Sequence, residues 1–224
     1  MIRPIDRRGL LAAGLVLAAG PALAQSQTPA PASAPPAPLA PPEAGIVRVA
    51  LRTGKGLIVL DLNQGKAPIT AGNFLRYVDL RRFDGASFYR ASRIQGAPET
   101  GVVQGGLRND PAKVLKPIAH ESTLKTGLSH KDGAISMGRR APGTATSDFF
   151  ICVGDQTYFD ADPAAKGDNL GFAAFGYVVQ GMDVVRTILA LPTSATGGVG
   201  VMRGEMLKPP VPILTARREI QKRA

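Results

Sequence analysis

Arg90, Gln104 and Phe150 are the residues of this 224-residue chain whose types and spacing point most directly to chemistry. Arg90 lies in SFYRAS and Gln104 in VVQGG, both within residues 87–106, and SDFFICVG at 147–154 adds Phe149 and Phe150. A guanidinium stays charged across the physiological range and presents its N–H groups as a rigid fork. An amide side chain can hold that fork in one orientation, because it offers an acceptor oxygen. Aromatic rings supply an apolar wall. Such a set needs neither a nucleophile nor a metal.

Other motifs carry less. Gly105-Gly106 is not followed by the GK[ST] of a phosphate loop, so close backbone packing is the better reading. His120 and His130 have no metal-ligand company, and loop or capping roles are expected for both. Cys152 is the single cysteine, so no internal disulfide can form; in the apolar run FFICV it reads as a buried structural thiol. No metal site and no cofactor is expected.

The elements that must position these side chains are mostly short strands. Residues 46–52 and 56–62 read as two strands joined by a hairpin turn at Thr53-Gly54-Lys55-Gly56. Pro68 then opens a helix at a position where its missing N–H is harmless. Ala71, Phe74, Leu75 and Val78 follow helical spacing, and the helix is expected to end near Phe83. Further strands are expected at about 87–91, 102–105, 133–137, 148–153, 172–179 and 211–218. A second helix runs through Met182, Val185, Ile188 and Leu189 to a stop at Pro192. Many short strands with two helices indicate a mainly β protein, an antiparallel barrel with helices over its openings. Alternation along extended chain pairs Arg90 with Phe88, Val102 with Gln104, Asp148 with Phe150, and Phe172 with Ala174 on common faces. Together these would form an apolar patch edged by polar groups, as in a small peptide pocket.

The ends of the chain have a different character. MIRPIDRR followed by GLLAAGLVLAAG and Ala22-Leu23-Ala24 has the charged, apolar and small-residue regions of a secretory signal, residues 1–24. The apolar run is too short to span a bilayer, which takes about 20 residues. Arg7-Arg8 leaves open whether the general or the twin-arginine route is used. Residues 25–44 form a Pro/Ala-rich tract without hydrophobic periodicity, expected to be a semi-rigid spacer. The globular domain is then 45–219, with a short basic tail at 220–224. Loss of Arg3, Arg7, Arg8 and Asp6 with the leader would lower the net charge of +10 by two. The remaining charges are scattered, and no basic helix or aromatic-rich motif accompanies them, so no specific nucleic-acid partner is expected.

Taken in order, APITAGNFLRYVD, FYR, VVQGG, DGAISMGR, SDFFICVG and AAFGYVVQGMDVV resemble the segments of cyclophilin-type peptidyl-prolyl cis-trans isomerases over most of residues 46–218. The resemblance implies a closed antiparallel eight-stranded barrel capped by two α-helices. It implies a catalytic Arg90, a Gln104 that orients it, and a proline pocket walled by Val102, Phe150 and Phe159, with Phe149 in the core. Gly138 and Arg139 resemble the segment whose backbone pairs with substrate, and Tyr158 stands where many members have tryptophan. With the leader, the reading is an exported, periplasmic, monomeric isomerase. It would act on proline-containing unfolded or loop segments of exported proteins and have no membrane span.

The chain also departs from the family pattern. The loop SRIQGAPETG is long, Gly101 replaces an aromatic pocket residue, Asp148 a glutamine, and Phe172 a histidine; ADPAAKGDNLG at 161–171 is an insert beside the rim. Asp148 is expected to face the pocket near Arg139 or Arg90. These changes keep a second reading open, a non-catalytic proline-peptide-binding module or holdase on the same fold. A lipocalin-like carrier would need an open barrel interior, and the abundant branched and aromatic inward positions argue for a filled one.

Overall fold

The computed structural model describes residues 39–219. The leader, most of the Pro/Ala tract and the basic tail lie outside the described residues. The strands are β1 (Ile46–Thr53), β2 (Gly56–Asn63), β3 (Ser87–Ile94), β4 (Ala97–Gly106), β5 (Ala134–Met137), β6 (Phe149–Val153), β7 (Ala173–Gln180), the two-residue β8 (Thr193–Ser194) and β9 (Met206–Arg218). The helices are α1 (Pro68–Asp79), the single-turn α2 (Thr123–Thr126) and α3 (Met182–Ala190). All pairings are antiparallel. The order β1-β2-β7-β5-β6-β4-β3-β9 returns to β1 through the β1–β9 ladder, so eight strands close into a barrel, and β8 pairs only with β9. Closure leaves no long unpaired edge among those eight strands.

The barrel forms because its strands carry apolar side chains with period two. In β6 every residue is buried, but the strand serves two clusters. Phe149, Ile151 and Val153 point into the main core, while Phe150 and Cys152 join a smaller cluster with Val102 and Ala134. Phe149 meets Phe74, Phe83 and Phe88 edge-on at centroid distances of 5.3, 5.6 and 5.7 Å. These edge-to-face contacts add to the area each ring removes from water.

Helix α1 starts with Pro68 at its first turn. The buried Glu121 carboxylate accepts hydrogen bonds from Thr70 N–H and Thr70 Oγ1, each at 2.6 Å. A carboxylate at a helix N-terminus satisfies a free N–H and suits the helix dipole. The helix is shorter than its apolar spacing suggests. It ends at Asp79, Arg81 takes a positive φ of 55°, and the chain turns back so that Phe83 stacks on Tyr77 at 5.2 Å. Helix α3 ends before Pro192. There Arg93 donates from Nε to the carbonyl of Leu189 at 2.8 Å and from Nη2 to that of Leu191, a cation on the free carbonyls of a helix C-terminus.

Two expectations about the strands change. The segment between Arg90 and Val102 is not a loose loop but an extension of the β3–β4 hairpin, with Ser92 opposite Val102 and Arg93 opposite Gly101. Gly101 sits at φ 144°, and a Cβ there would lie 2.0 Å from the Ser92 carbonyl oxygen. Only glycine fits that crossing, so no aromatic side chain can stand there. The last strand begins at Met206 rather than near 211, although Pro209, Pro210 and Pro212 lie within it. It is tolerated because β9 changes partners along its length, pairing in turn with β8, β3 and β1.

Candidate active site

Strand register assembles the site. Arg90 on β3 lies opposite Gln104 on β4, Gln104 lies opposite Phe150 on β6, and Phe150 lies opposite Ser136 on β5. Neighbouring strands run about 4.8 Å apart, so this row sets the spacing between cation, amide and aromatic ring. Arg90 reaches the outer face through an irregularity. The β3–β4 register shifts between Phe88 and Arg90, as a bulge does. Phe88 therefore packs in the core while Arg90 lines a cavity, and the expectation that they share a face is overturned.

The cavity measures about 440 Å³. Its floor is a triangle of rings: Phe150, Phe159 and Phe172 have pairwise centroid distances of 5.3 Å. Val102 packs beside Phe150 in the same cluster. Tyr158, itself 65% exposed, lies against Phe159 at 4.3 Å and forms part of the rim. Ile94, Gly101, Val201 and Met202 also line the cavity.

The guanidinium of Arg90 is held on two sides. Its Nη1 donates to Gln104 Oε1 at 2.9 Å, its Nε donates to Glu205 Oε2 at 2.7 Å, and its Nη2 pairs with the same oxygen at 2.7 Å. The other oxygen of Glu205 accepts from Ser92 Oγ at 2.7 Å. Glu205 is the main functional contact that sequence reasoning missed. It comes from the loop before β9, far from Arg90 in sequence, and no local pattern marks it.

Arg139 and Gly138 both line the cavity, and the Gly138 N–H and the Arg139 guanidinium are engaged within the chain. Gly138 N–H donates to the Asp148 carbonyl at 2.7 Å. Arg139 donates from Nε to the Gly171 carbonyl at 3.0 Å, pairs with Asp168, and lies 5.2 Å from the centre of the Phe172 ring. Its side chain thus ties the 161–171 insert to the pocket floor and holds Phe172 in place. Phe172 precedes β7 rather than lying in it, so it does not share the core face of Ala174.

Asp148 does not reach Arg90 or Arg139, and it does not line the cavity. It is buried just before β6, where the strand alternation that paired it with Phe150 has not begun. Its Oδ1 accepts from Arg108 N–H at 2.8 Å. Burial pushes its pKa up, against the opposing pull of hydrogen bonds from the Arg108 backbone and Tyr89.

Beneath the floor lies a polar brace. His130 lies in the loop between α2 and β5, as expected, but its side chain is fully buried. Its ring stacks on Phe150 at 5.9 Å with 15° between planes and meets Phe159 at 5.8 Å. Nδ1 contacts Asp160 Oδ1 at 2.5 Å and Nε2 contacts Ser136 Oγ at 2.9 Å. Burial lowers the His130 pKa, and Asp160 only partly offsets this. Cys152 is buried beside the same floor, and burial pushes its thiol up to about 12, so it stays protonated and inert.

Known proteins resemble this chain over most of the barrel domain. Residues 48–218 match the family described as cyclophilin type peptidyl-prolyl cis-trans isomerase/CLD. A peptidyl-prolyl cis-trans isomerase of Acinetobacter baylyi is 34% identical over 170 residues, covering 75% of this chain and 84% of that protein. The isomerase cyp18 of Streptomyces antibioticus is 35% identical over 156 residues, covering 67% of this chain and 87% of that protein. The crystal structure of a Cryptosporidium parvum cyclophilin type isomerase superposes with a TM-score of 0.61 at 16% identity, covering 79% of this chain and 99% of that one.

The brace makes a pH prediction. A buried histidine with a lowered pKa is neutral in the fold but takes a proton in the unfolded chain below about pH 6.5. The unfolded state then binds more protons, and His130's contribution to stability falls as pH drops through that value. His130→Asn should destabilise the domain at pH 8, and its deficit relative to wild type should shrink at pH 5. Urea unfolding of both proteins at the two pH values checks this; a deficit that stays constant contradicts it.

Proposed function

Because the chain belongs to the cyclophilin-type peptidyl-prolyl cis-trans isomerase family, we propose that it accelerates X-Pro rotation with Arg90 stabilising the twisted amide. The observation that carries the reading is the Arg90 guanidinium, fixed by Gln104 and Glu205 at the edge of the Phe150–Phe159–Phe172 floor. Amide resonance sets a rotation barrier of about 18–20 kcal/mol. As the bond twists, conjugation is lost and the prolyl nitrogen regains an available lone pair. A cation that donates to that nitrogen binds the twisted state better than either planar one, and only that difference speeds the step.

The aromatic floor has the complementary task. Phe150, Phe159 and Phe172, with Val102, would grip the pyrrolidine ring, so that the acyl side turns against a fixed anchor. Tyr158 at the rim and the backbone near Gly138 would contact the flanking peptide. In this reading Arg139 acts through Phe172 rather than on substrate directly. A pre-set guanidinium needs no reorganisation at the moment of rotation.

The substrates proposed are proline-containing segments, unfolded or in loops, of exported proteins. This rests on the leader-like residues 1–24 and the spacer that follows, which point to export to the periplasm. Expression of the full chain in a Gram-negative host should yield a periplasmic protein whose N-terminal sequence begins at Gln25. Recovery of the uncleaved chain in the cytoplasm would contradict the export reading.

One charge-assisted hydrogen bond contributes about 1.5–3 kcal/mol. Arg90→Ala should therefore lower kcat/KM on an Ala-Xaa-Pro-Phe-type peptide about 10- to 150-fold. Arg90→Lys should recover little, because an ammonium cannot engage Gln104 and Glu205 together in the planar fork. A protease-coupled isomerase assay measures both. Wild-type activity in Arg90→Ala would refute the mechanism, and a wild-type protein that binds the peptide without accelerating rotation would favour the binding module or holdase.

A further inference from the structure

Glu205 contacts strand β3 through three of its groups. Its carbonyl accepts from Ala91 N–H at 2.9 Å, one carboxylate oxygen takes Arg90, and the other takes Ser92. We propose that Glu205 is a positioning residue that selects which N–H bonds of Arg90 face the peptide, a proposal that rests on the isomerase reading above.

The argument is a count of donors. A guanidinium has five N–H bonds. Glu205 Oε2 accepts the one on Nε and forms an ion pair with Nη2 at 2.7 Å, and Gln104 accepts one on Nη1. Three are left without a hydrogen bond, one on Nη1 and two on Nη2. Gln104 alone would leave the group free to pivot about a single hydrogen bond, whereas Gln104 and Glu205 together fix its plane. Ser92 fixes the carboxylate in turn, so the restraint does not depend on a freely rotating Glu205 side chain.

The carboxylate also offsets part of the positive charge it orients. Orientation and charge therefore make opposite demands, and substitutions separate them. Glu205→Gln keeps an acceptor oxygen but removes the negative charge. Glu205→Ala removes both. Glu205→Asp keeps the charge but shortens the reach by one carbon, so it cannot span Arg90 and Ser92 together.

The test combines steady-state isomerase kinetics with NMR of the Arg90 Nε–Hε pair in the full-length processed protein. Glu205→Ala is expected to lower kcat about 10-fold or more, with KM within about twofold, because the floor that grips the proline is untouched. The slowly exchanging Arg90 Nε–Hε signal of wild type should disappear in this variant. Glu205→Gln should restore the signal and bring kcat to within about threefold of wild type. Glu205→Asp should lose about threefold or more, and it carries the test if Glu205→Ala fails to fold. A kcat within twofold of wild type in the alanine or aspartate variant, or an Arg90 signal unaffected by Glu205→Ala, overturns the proposal. If Arg90→Ala is inactive in the same assay, such a result leaves the isomerase reading standing; if Arg90→Ala is also fully active, both fall.

Discussion

The site depends on one constraint, the register of three adjacent strands. Arg90, Gln104 and Phe150 occupy facing positions on β3, β4 and β6, so the ladder hydrogen bonds that close the barrel also set the distance from guanidinium to aromatic floor. A slip of one residue in any of these strands would turn the row into the core. The register is pinned from inside, where Phe149 and Phe88 meet edge-on at 5.7 Å with Phe74 and Phe83 around them. The same β6 residues that fill the barrel therefore position their outward neighbours. Core packing and site geometry are two faces of one alternation.

The arginines divide their work in a way that the net charge does not reveal. Arg48 pairs with Asp61, Arg217 with Asp84 and Arg218 with Asp79, fastening strands and the end of α1. Arg93 caps α3, and Arg139 binds the rim insert. Arg90 lines the cavity and keeps donors in reserve, since Gln104 and Glu205 use only part of its fork. Part of the basic composition therefore serves intramolecular ties.

Much of this was legible in the sequence, and the failures have identifiable causes. Period-two alternation correctly placed Val102 and Gln104 on one face because β4 is regular there. It failed at Arg90, where a bulge adds a residue; at Asp148, which precedes its strand; and at Phe172, which enters β7 from a turn at Gly171. Bulges and strand ends are set by tertiary pairing, so short-range periodicity does not mark them. Glu205 and Glu121 were missed for a related reason. Each acts across a large sequence separation, which no local pattern marks. The brace under Phe150 was hidden because a lone histidine in SHKDG gives no sign that its ring will be wholly buried against Asp160 and Ser136.

The central claim is that Arg90 faces the prolyl nitrogen of a peptide whose ring rests on the aromatic floor. A crystal structure of the domain with a short Ala-Pro-containing peptide tests it most directly. The account predicts the pyrrolidine ring packed against Phe150 and Phe159, with a terminal nitrogen of Arg90 on the side of the prolyl nitrogen and Glu205 still paired behind it. A peptide seated elsewhere, or an Arg90 fork turned from the prolyl ring, would contradict it.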